Sequence, residues 1–388
     1  MSDDFLPFAR PDLSEEEIAE VVAVLRSGWL TYGPKSQAFE AEFAAAAGAA
    51  HAIAVTSCTA ALHLALLAAG IGAGDEVITT PLTFAATANV IVHAGATPVL
   101  ADVSADDLNL DPAAVAAKIT PRTRAILPVH YGGQPCRMDA LLDLARAHDL
   151  RVIEDAAHAA GAAYRARPVG SLGDATAFSF YAIKNMTTGE GGMLTTDNAK
   201  IAEKAKLLRA HGLSSDAWKR YTAAGSAFYE VTLPGFNYRM TDFQAALGRG
   251  QLARLPQINA DRARLAERYT ERLAGLAEVE TPTSRPEVTH AWHLYPLRLR
   301  LERLKLGRDE VVAALRQRGI GTSVHFIPIH YHAYYRDRER FDFSKGDFPV
   351  AEDAYERLVS LPLYPQMTEA DVDRVAAAVT AIVEAHRA

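Results

Sequence analysis

Hydrophobic and polar positions along the chain follow two periods in turn. Ser14-Glu15-Glu16-Glu17 has capping-box spacing, and Ile18, Val21, Val22 and Leu25 follow at helical intervals until Gly28. Gly28 to Pro34 then reads as a loop. From about residue 50, short apolar runs alternate with segments of helical length. The runs are Ala52 to Val55, Glu76 to Thr80, Pro98 to Asp102, Ala125 to His130, Arg151 to Asp155 and Ala175 to Phe180. Met138 to His148 is one of the helical segments. Such alternation predicts an α/β fold: a mostly parallel sheet sandwiched by helices, with the chemistry at the carboxyl ends of the strands.

The pattern changes after Thr241. A proline-poor stretch rich in Ala, Leu, Arg and Gln, broken only by Pro256, predicts long helices to about Leu273. The strand-like HAWHLYPLRLRL, a helix near Arg308 to Arg318 and a final helix from Glu369 suit a smaller α+β unit. Residues 1–250 are therefore expected to form a large domain, with the N-terminal helix and a substrate loop, and residues 251–388 a small C-terminal domain. A chain of 388 residues suits two packed domains.

Composition narrows the function. A net charge of -7 argues against a nucleic-acid surface, which needs clustered Lys and Arg. Phe43 to Gly74 and Val77 to Ala101 carry no Asp, Glu, Lys or Arg, but Gly, His, Ser, Thr, Asn or Pro break each of them, so neither is read as a membrane span. The opening MSDDFLPFAR lacks the apolar core of a signal peptide. With only Cys58 and Cys136, no disulfide framework is possible, and a cytoplasmic location is expected.

Three places carry candidate chemistry. Of nine lysines (35, 118, 184, 200, 204, 206, 219, 305 and 345), most sit in charged or helical segments. Lys184 instead follows the apolar run Phe178 to Ile183 and precedes the turn-rich NMTTGEGG. Burial there would lower its pKa and supply the neutral amine of Schiff-base chemistry, although a lysine snorkelling to the surface satisfies the same pattern. Asp155 ends the run VIED, where a carboxylate can pair with a protonated ring nitrogen or simply cap a helix. In VTSCTAALH a strand meets a helix through small hydroxyl residues. That junction could be a phosphate site on free backbone amides, or an ordinary turn. Gly70, Gly72 and Gly74 precede a strand rather than follow one, so they are not a dinucleotide loop. Together the three places supply an amine, a ring partner and a phosphate cradle at one edge of one sheet.

The stretches GWLTYGPKSQAFEAEF, TSCTAALHLAL, GDEVITTPLTFAATANVI, EDAAHAAGA, FSFYAIKNMTTGEGGML, PGFNYRMTDFQAALG and GIGTSVHFIPIHYHAYY resemble the DegT/DnrJ/EryC1/StrS family of sugar aminotransferases over nearly the whole chain. The resemblance implies the aspartate-aminotransferase (type I) fold and pyridoxal 5′-phosphate as cofactor. It implies that Lys184 holds the cofactor covalently and that Asp155 pairs with its ring nitrogen. Phe84 would stack on the ring, and His158, where the family often has Gln, would lie near the ring hydroxyl. The backbone at Cys58 and Thr59, with Ser179, would hold the phosphate. Asn237 would reach that phosphate from the neighbouring subunit, which implies a homodimer.

GWLTYGPK, HAWHLYP, VHFIPIHYHAYY and SLPLYP are most similar to members that aminate C4 of UDP-linked 4-keto sugars, with L-glutamate as donor. dTDP- and GDP-linked sugars and C3 amination stay open. So do dehydration or aldol cleavage on the same fold, and a non-enzymatic cofactor-binding regulator. Trp29, Thr31, Tyr32, His325 and Tyr334 are candidates for the substrate pocket. His325, His330 and His332 lack the spacing of a helical zinc motif, and Asp337 and Glu339 alternate with arginines, so no metal is expected.

Overall fold

The computed structural model describes residues 5–213, 230–337 and 339–388. Lys219 and the first four residues of MSDDFLPFAR lie outside them. The predicted capping box forms. Helix α1 (Glu15–Ser27) starts with the Ser14 amide donating to Glu17 Oε2 at 2.8 Å and ends at Gly28 in the left-handed region. Glu17 is also buried against a later helix, where it accepts from Gln251 Nε2 at 2.9 Å. Pro34, expected as the end of a loop, opens helix α2 (Pro34–Ala47). Proline suits that place because the first turn has no use for its missing amide hydrogen.

The central sheet has seven strands: β1 (His51–Val55), β2 (Glu76–Thr79), β3 (Thr97–Leu100), β4 (Thr123–Leu127), β5 (Arg151–Asp155), β6 (Ala175–Ser179) and β7 (Gly192–Thr196). Their order is β1-β7-β6-β5-β4-β2-β3. The pairs β2–β3, β2–β4, β4–β5 and β5–β6 are parallel, whereas β7 runs antiparallel between β1 and β6. The runs expected as strands are all here, shifted by a few residues at their ends. Helices α3 (Cys58–Ala68), α4 (Ala85–His93), α5 (Pro112–Lys118), α6 (Met138–His148) and α7 (Ala199–Arg209) connect and cover the strands. The strands are almost wholly buried, which explains their lack of alternation.

The segment after Thr241 is one helix, α8 (Asp242–Leu273), which continues through Pro256 for about 48 Å at 1.5 Å per residue. It crosses the boundary expected at residue 250. Its first half packs on α1 and α2. Its second half supplies Leu265, Tyr269 and Leu273 to a second core, with a three-stranded sheet (Val279–Glu280, Tyr295–Leu299 and Leu358–Leu361). Helices α9 (Arg308–Gln317), α10 (Pro349–Arg357) and α11 (Glu369–Ala385) pack on that sheet and on α8. Leu6 joins this core as well, its amide donating to Gly319 O and its carbonyl accepting from the Gly321 amide, both at 2.8 Å. Only Tyr295–Leu299 of the strand-like HAWHLYPLRLRL is a strand. Among the described residues, no helix is long and apolar enough to cross a membrane.

Candidate active site

A cavity of about 490 Å³ opens at the carboxyl ends of β5 and β6, where a mostly parallel sheet exposes its chemistry. Lys184, Asp155, Cys58, Thr59, Phe84, His158, Ser179 and His325 all line it. These residues come from five separate stretches of sequence.

Lys184 was expected at the end of a strand. Strand β6 stops at Ser179 instead, and the chain turns back on itself. The Phe180 amide donates to Gly191 O and the Thr188 amide to Phe180 O, both at 2.9 Å, while the Thr187 amide donates to Gln251 Oε1 at 3.1 Å. These bonds pin the loop that carries the amine. Lys184 is half-buried and lines the cavity. Desolvation of its ammonium, partly opposed by Cys58 and Asp155, brings its pKa down to about 8.

Asp155 is the last residue of β5 and is buried. Its Oδ2 accepts from Thr87 Oγ1 at 2.8 Å and its Oδ1 from the Ala157 amide at 3.1 Å, with Cys58 Sγ 3.8 Å away. Burial raises its pKa, and the two hydrogen bonds and Lys184 oppose that rise. Asp155 therefore does not use its carboxylate to cap a helix. Lining the cavity beside these two hydrogen bonds, the carboxylate is placed to accept from a cationic N–H there as well.

At the junction of β1 and α3, expected as a phosphate site, Ser57 caps α3, its Oγ accepting from the Ala60 amide at 3.1 Å. By helix geometry the amides of Cys58 and Thr59, one and two places into the helix, have no carbonyl a turn behind them. Gly192 lies against this turn so closely that a Cβ there would stand 2.6 Å from the Cys58 nitrogen. The glycines of TTGEGG thus let the loop behind Lys184 pack on the helix start.

The remaining wall is aromatic. His158 lies 4.4 Å from His293 and 5.7 Å from Phe326, ring to ring. Phe84, 64% exposed, faces Phe326 at 6.2 Å. His325 Nδ1 is 2.9 Å from Ser360 Oγ, and burial brings its pKa down to about 4. Burial also holds His158 and His293 well below the usual imidazole range. His158 Nδ1 is buried without a hydrogen-bond partner among the described residues.

Asn237 does not line the cavity. It pairs with Ala210 and its Oδ1 accepts from Arg239 Nε at 3.3 Å. Its neighbours Phe236 and Tyr238 border a separate open cleft of about 770 Å³ that also touches Thr59. Trp29, 51% exposed, and Thr31 lie on the surface loop before α2. Tyr32 donates to Glu40 Oε2 at 2.8 Å, with Arg209 over its ring at 4.4 Å. Tyr334 packs on Tyr335 and Phe341. None of these four lines the cavity of this chain.

Several residues of the site escaped the sequence reading. Thr83 and Thr87 stand one helical turn apart, 2.8 Å between hydroxyls, and Thr87 reaches Asp155. Two hydroxyls four apart in a charge-free stretch were the available signal. His293 and Phe326 stand in the quoted stretches HAWHLYP and VHFIPIHYHAYY, but nothing in the sequence places them beside His158. His330 pairs with Glu352 at 2.9 Å, and among the described residues no three His, Cys, Asp or Glu side chains are grouped to hold a metal.

A partly desolvated amine, a buried carboxylate and an open helix start around one cavity meet the requirements of a pyridoxal-phosphate enzyme. The chain belongs to the DegT/DnrJ/EryC1/StrS aminotransferase family, whose model matches residues 11–380. It is 53% identical to the spore coat polysaccharide biosynthesis protein SpsC of Bacillus subtilis (strain 168) over 381 residues, 98% of this chain and 97% of that one. Its fold matches the PMP form of the putative sugar aminotransferase Spr1654 from Streptococcus pneumoniae with a TM-score of 0.92 and 32% identity, over 98% of this chain and 99% of that one. DesI, solved in the presence of its TDP-sugar product, matches with a TM-score of 0.87 and 33% identity, over 99% and 94%. The protein is thus a sugar aminotransferase of the type I fold that uses pyridoxal phosphate.

Proposed function

We propose that this enzyme transfers the amino group of L-glutamate to the C4 keto group of a nucleotide-linked 4-keto sugar, with UDP as the carrier. The observation that carries the reading is the meeting of Lys184 and Asp155 on one cavity beside the start of α3. Pyridoxal phosphate, when bound, supplies an electron-withdrawing ring that stabilises negative charge on the substrate carbon.

This chain's residues have the following roles. Lys184 would hold the cofactor covalently and, as a free amine, would move a proton as the general base, a task that a pKa of about 8 suits. The Asp155 carboxylate would pair with the ring nitrogen and keep a proton there. Phe84 would cover one ring face, and His158 would lie near the ring hydroxyl. The amides of Cys58 and Thr59, with Ser179, would take the phosphate at the positive end of α3. Trp29, Thr31, Tyr32, His325 and Tyr334 are the proposed substrate contacts, of which His325 already faces the cavity.

The active protein is proposed to be a cytoplasmic homodimer in which a second copy brings Asn237 to the phosphate. The position of Phe236 and Tyr238 on a cleft that touches Thr59 supports this, as a partner seated there would stand at the phosphate end of the site. Residues 1–250 are proposed as the cofactor-binding domain and 251–388 as the small domain. The product of DesI is a TDP-sugar, so a dTDP- or GDP-linked sugar is the second reading, as is amination at C3.

The decisive experiment offers UDP-, dTDP- and GDP-4-keto-6-deoxy sugars and a UDP-4-keto-pentose, each with L-glutamate, and reads products by mass and NMR. Turnover of the UDP sugars with nitrogen on C4 is expected. Exclusive turnover of a dTDP or GDP sugar would replace the carrier, and nitrogen on C3 would replace the position.

A further inference from the structure

Asn185 follows Lys184 directly and is buried. Its Nδ2 donates to Ala291 O at 2.6 Å and to Asn259 Oδ1 at 2.7 Å, and its Oδ1 lies 3.0 Å from His293 Nδ1. The two ends of an amide are alike in shape, so their assignment must come from their partners. Here two partners agree. The Ala291 carbonyl can only accept, so the atom against it is nitrogen. Independently, Asn259 Nδ2 donates to Ala160 O at 2.9 Å, which leaves Asn259 Oδ1 as an acceptor that again requires nitrogen from Asn185. Asn185 therefore turns its oxygen to His293, and His293 Nδ1 must carry a proton.

A second proton on the ring would make it a cation. His158, Lys184, Arg262 and His325 all act on it electrostatically, and each opposes that charge, as does burial. Arg262 is buried in α8 and donates to the carbonyls of Trp292 and His293 at 3.3 Å and of Leu363 at 2.8 Å. It fixes the backbone of His293 and brings positive charge beside the ring. Nε2 thus keeps its lone pair, on a residue that lines the cavity next to His158.

The geometry points to His293 as a fixed, uncharged hydrogen-bond acceptor of the active-site cavity, and to Asn185 as the positioning residue that locks its proton on Nδ1. Nε2 then accepts from a hydroxyl or N–H of the molecule bound beside His158. The tautomer follows from the chain's own hydrogen bonds. Its use in the reaction rests on the reading of Lys184 given above.

The test uses the holoenzyme labelled with ¹⁵N-histidine. His293 is identified by the signals missing from His293→Asn. A protonated Nδ1 and a bare Nε2, unchanged between about pH 6 and about pH 8.5, are expected for a ring that does not titrate in the histidine range. A protonated Nε2, or titration in that window, overturns the proposal. His293→Asn retains a nitrogen donor for Asn185 and loses the acceptor, so Tm stays near wild type while kcat falls on the order of tenfold or more. Wild-type kcat and KM in that variant remove the acceptor role. Asn185→Leu should lower kcat with little change in KM, and an unchanged kcat defeats the positioning role. Should that variant not fold, the wild-type spectrum and His293→Asn decide. If Lys184→Ala retained turnover, the reading of the amine would fail while the tautomer result stood.

Discussion

Thr87 Oγ1 donates to Asp155 Oδ2 at 2.8 Å, and this bond sets the direction of another. Thr87 has one hydroxyl hydrogen, already given to the carboxylate. Thr83 Oγ1, 2.8 Å from Thr87 Oγ1, must therefore donate to it. A chain of two hydroxyls from the start of α4 thus ends on the carboxylate that closes β5. It favours the charged carboxylate, against the burial that pushes its pKa up.

Thr87→Val keeps the side-chain shape and removes the donor. The pKa of Asp155 should rise further, so kcat/KM should fall by roughly tenfold and fall most at low pH, where the carboxylate is lost first. A pH profile of kcat/KM checks this. An acid limb that does not move would show that Thr87 leaves Asp155 untouched.

Lys184→Ala should abolish the visible absorbance of lysine-bound cofactor and lower turnover by about 10⁴-fold or more, because holding the cofactor and moving the proton go together. Turnover near wild type in that variant would end the assignment. Asp155→Ala should retain bound cofactor and lose most of the rate.

The lowered pKa of Lys184 also makes a stability prediction for the cofactor-free protein. The folded pKa of about 8 lies below the unfolded value of 10.5, so the folded state resists protonation. The lysine costs stability below pH 8, and that cost fades as pH rises from 8 towards 10.5. Lys184→Met should therefore be more stable than wild type at neutral pH by on the order of 2 kcal/mol, with the gap closing in alkaline solution. Urea denaturation of both proteins across that range measures it, and a pH-independent gap would contradict a desolvated amine.

Gly192→Ala should weaken both folding and cofactor binding. The added Cβ would collide with backbone at Ser57 and Cys58, which cannot move without opening the start of α3. A loss of about 1–3 kcal/mol in stability is expected for such overpacking. Phosphate-ester affinity read by titration calorimetry should fall with it. An unperturbed Kd would mean that the cradle lies elsewhere.

Asp242→Ala tests how the loop carrying Trp29 and Thr31 is held. The buried carboxylate at the start of α8 accepts from the amides of Gly33, Lys35 and Ser36 at 2.8, 3.1 and 2.9 Å, and from Ser36 Oγ at 2.6 Å. Leaving those donors unpaired should cost about 2–4 kcal/mol and raise KM for the sugar more than it lowers kcat. Unchanged stability would show that α2 holds its own N-terminus.

Much of the framework was legible because it is local. Ser14 and Glu17 stand three apart, so their capping box follows from spacing and appears as expected. The strand Arg151–Asp155 and the helix Met138–His148 begin and end where the pattern of apolar residues places them. Pro34 misled because a proline that ends a loop and one that opens a helix look alike until the next turn is seen. Lys184 was found by its unusual company, but its distance from the strand end was not, since Phe180 turns the chain through bonds to Gly191 and Thr188.

The order of residues along the chain was enough to determine the alternating sheet, the amine, the carboxylate and the helix start, because periodicity and burial of charge are properties of neighbouring residues. Only the folded chain decided that Thr87 serves Asp155, that Gly192 lies on Ser57 and Cys58, and that Asn185 orients His293 across 108 positions of sequence. Those relationships depend on hydrogen-bond geometry between segments that meet through the packing of separate cores, and no spacing rule spans them.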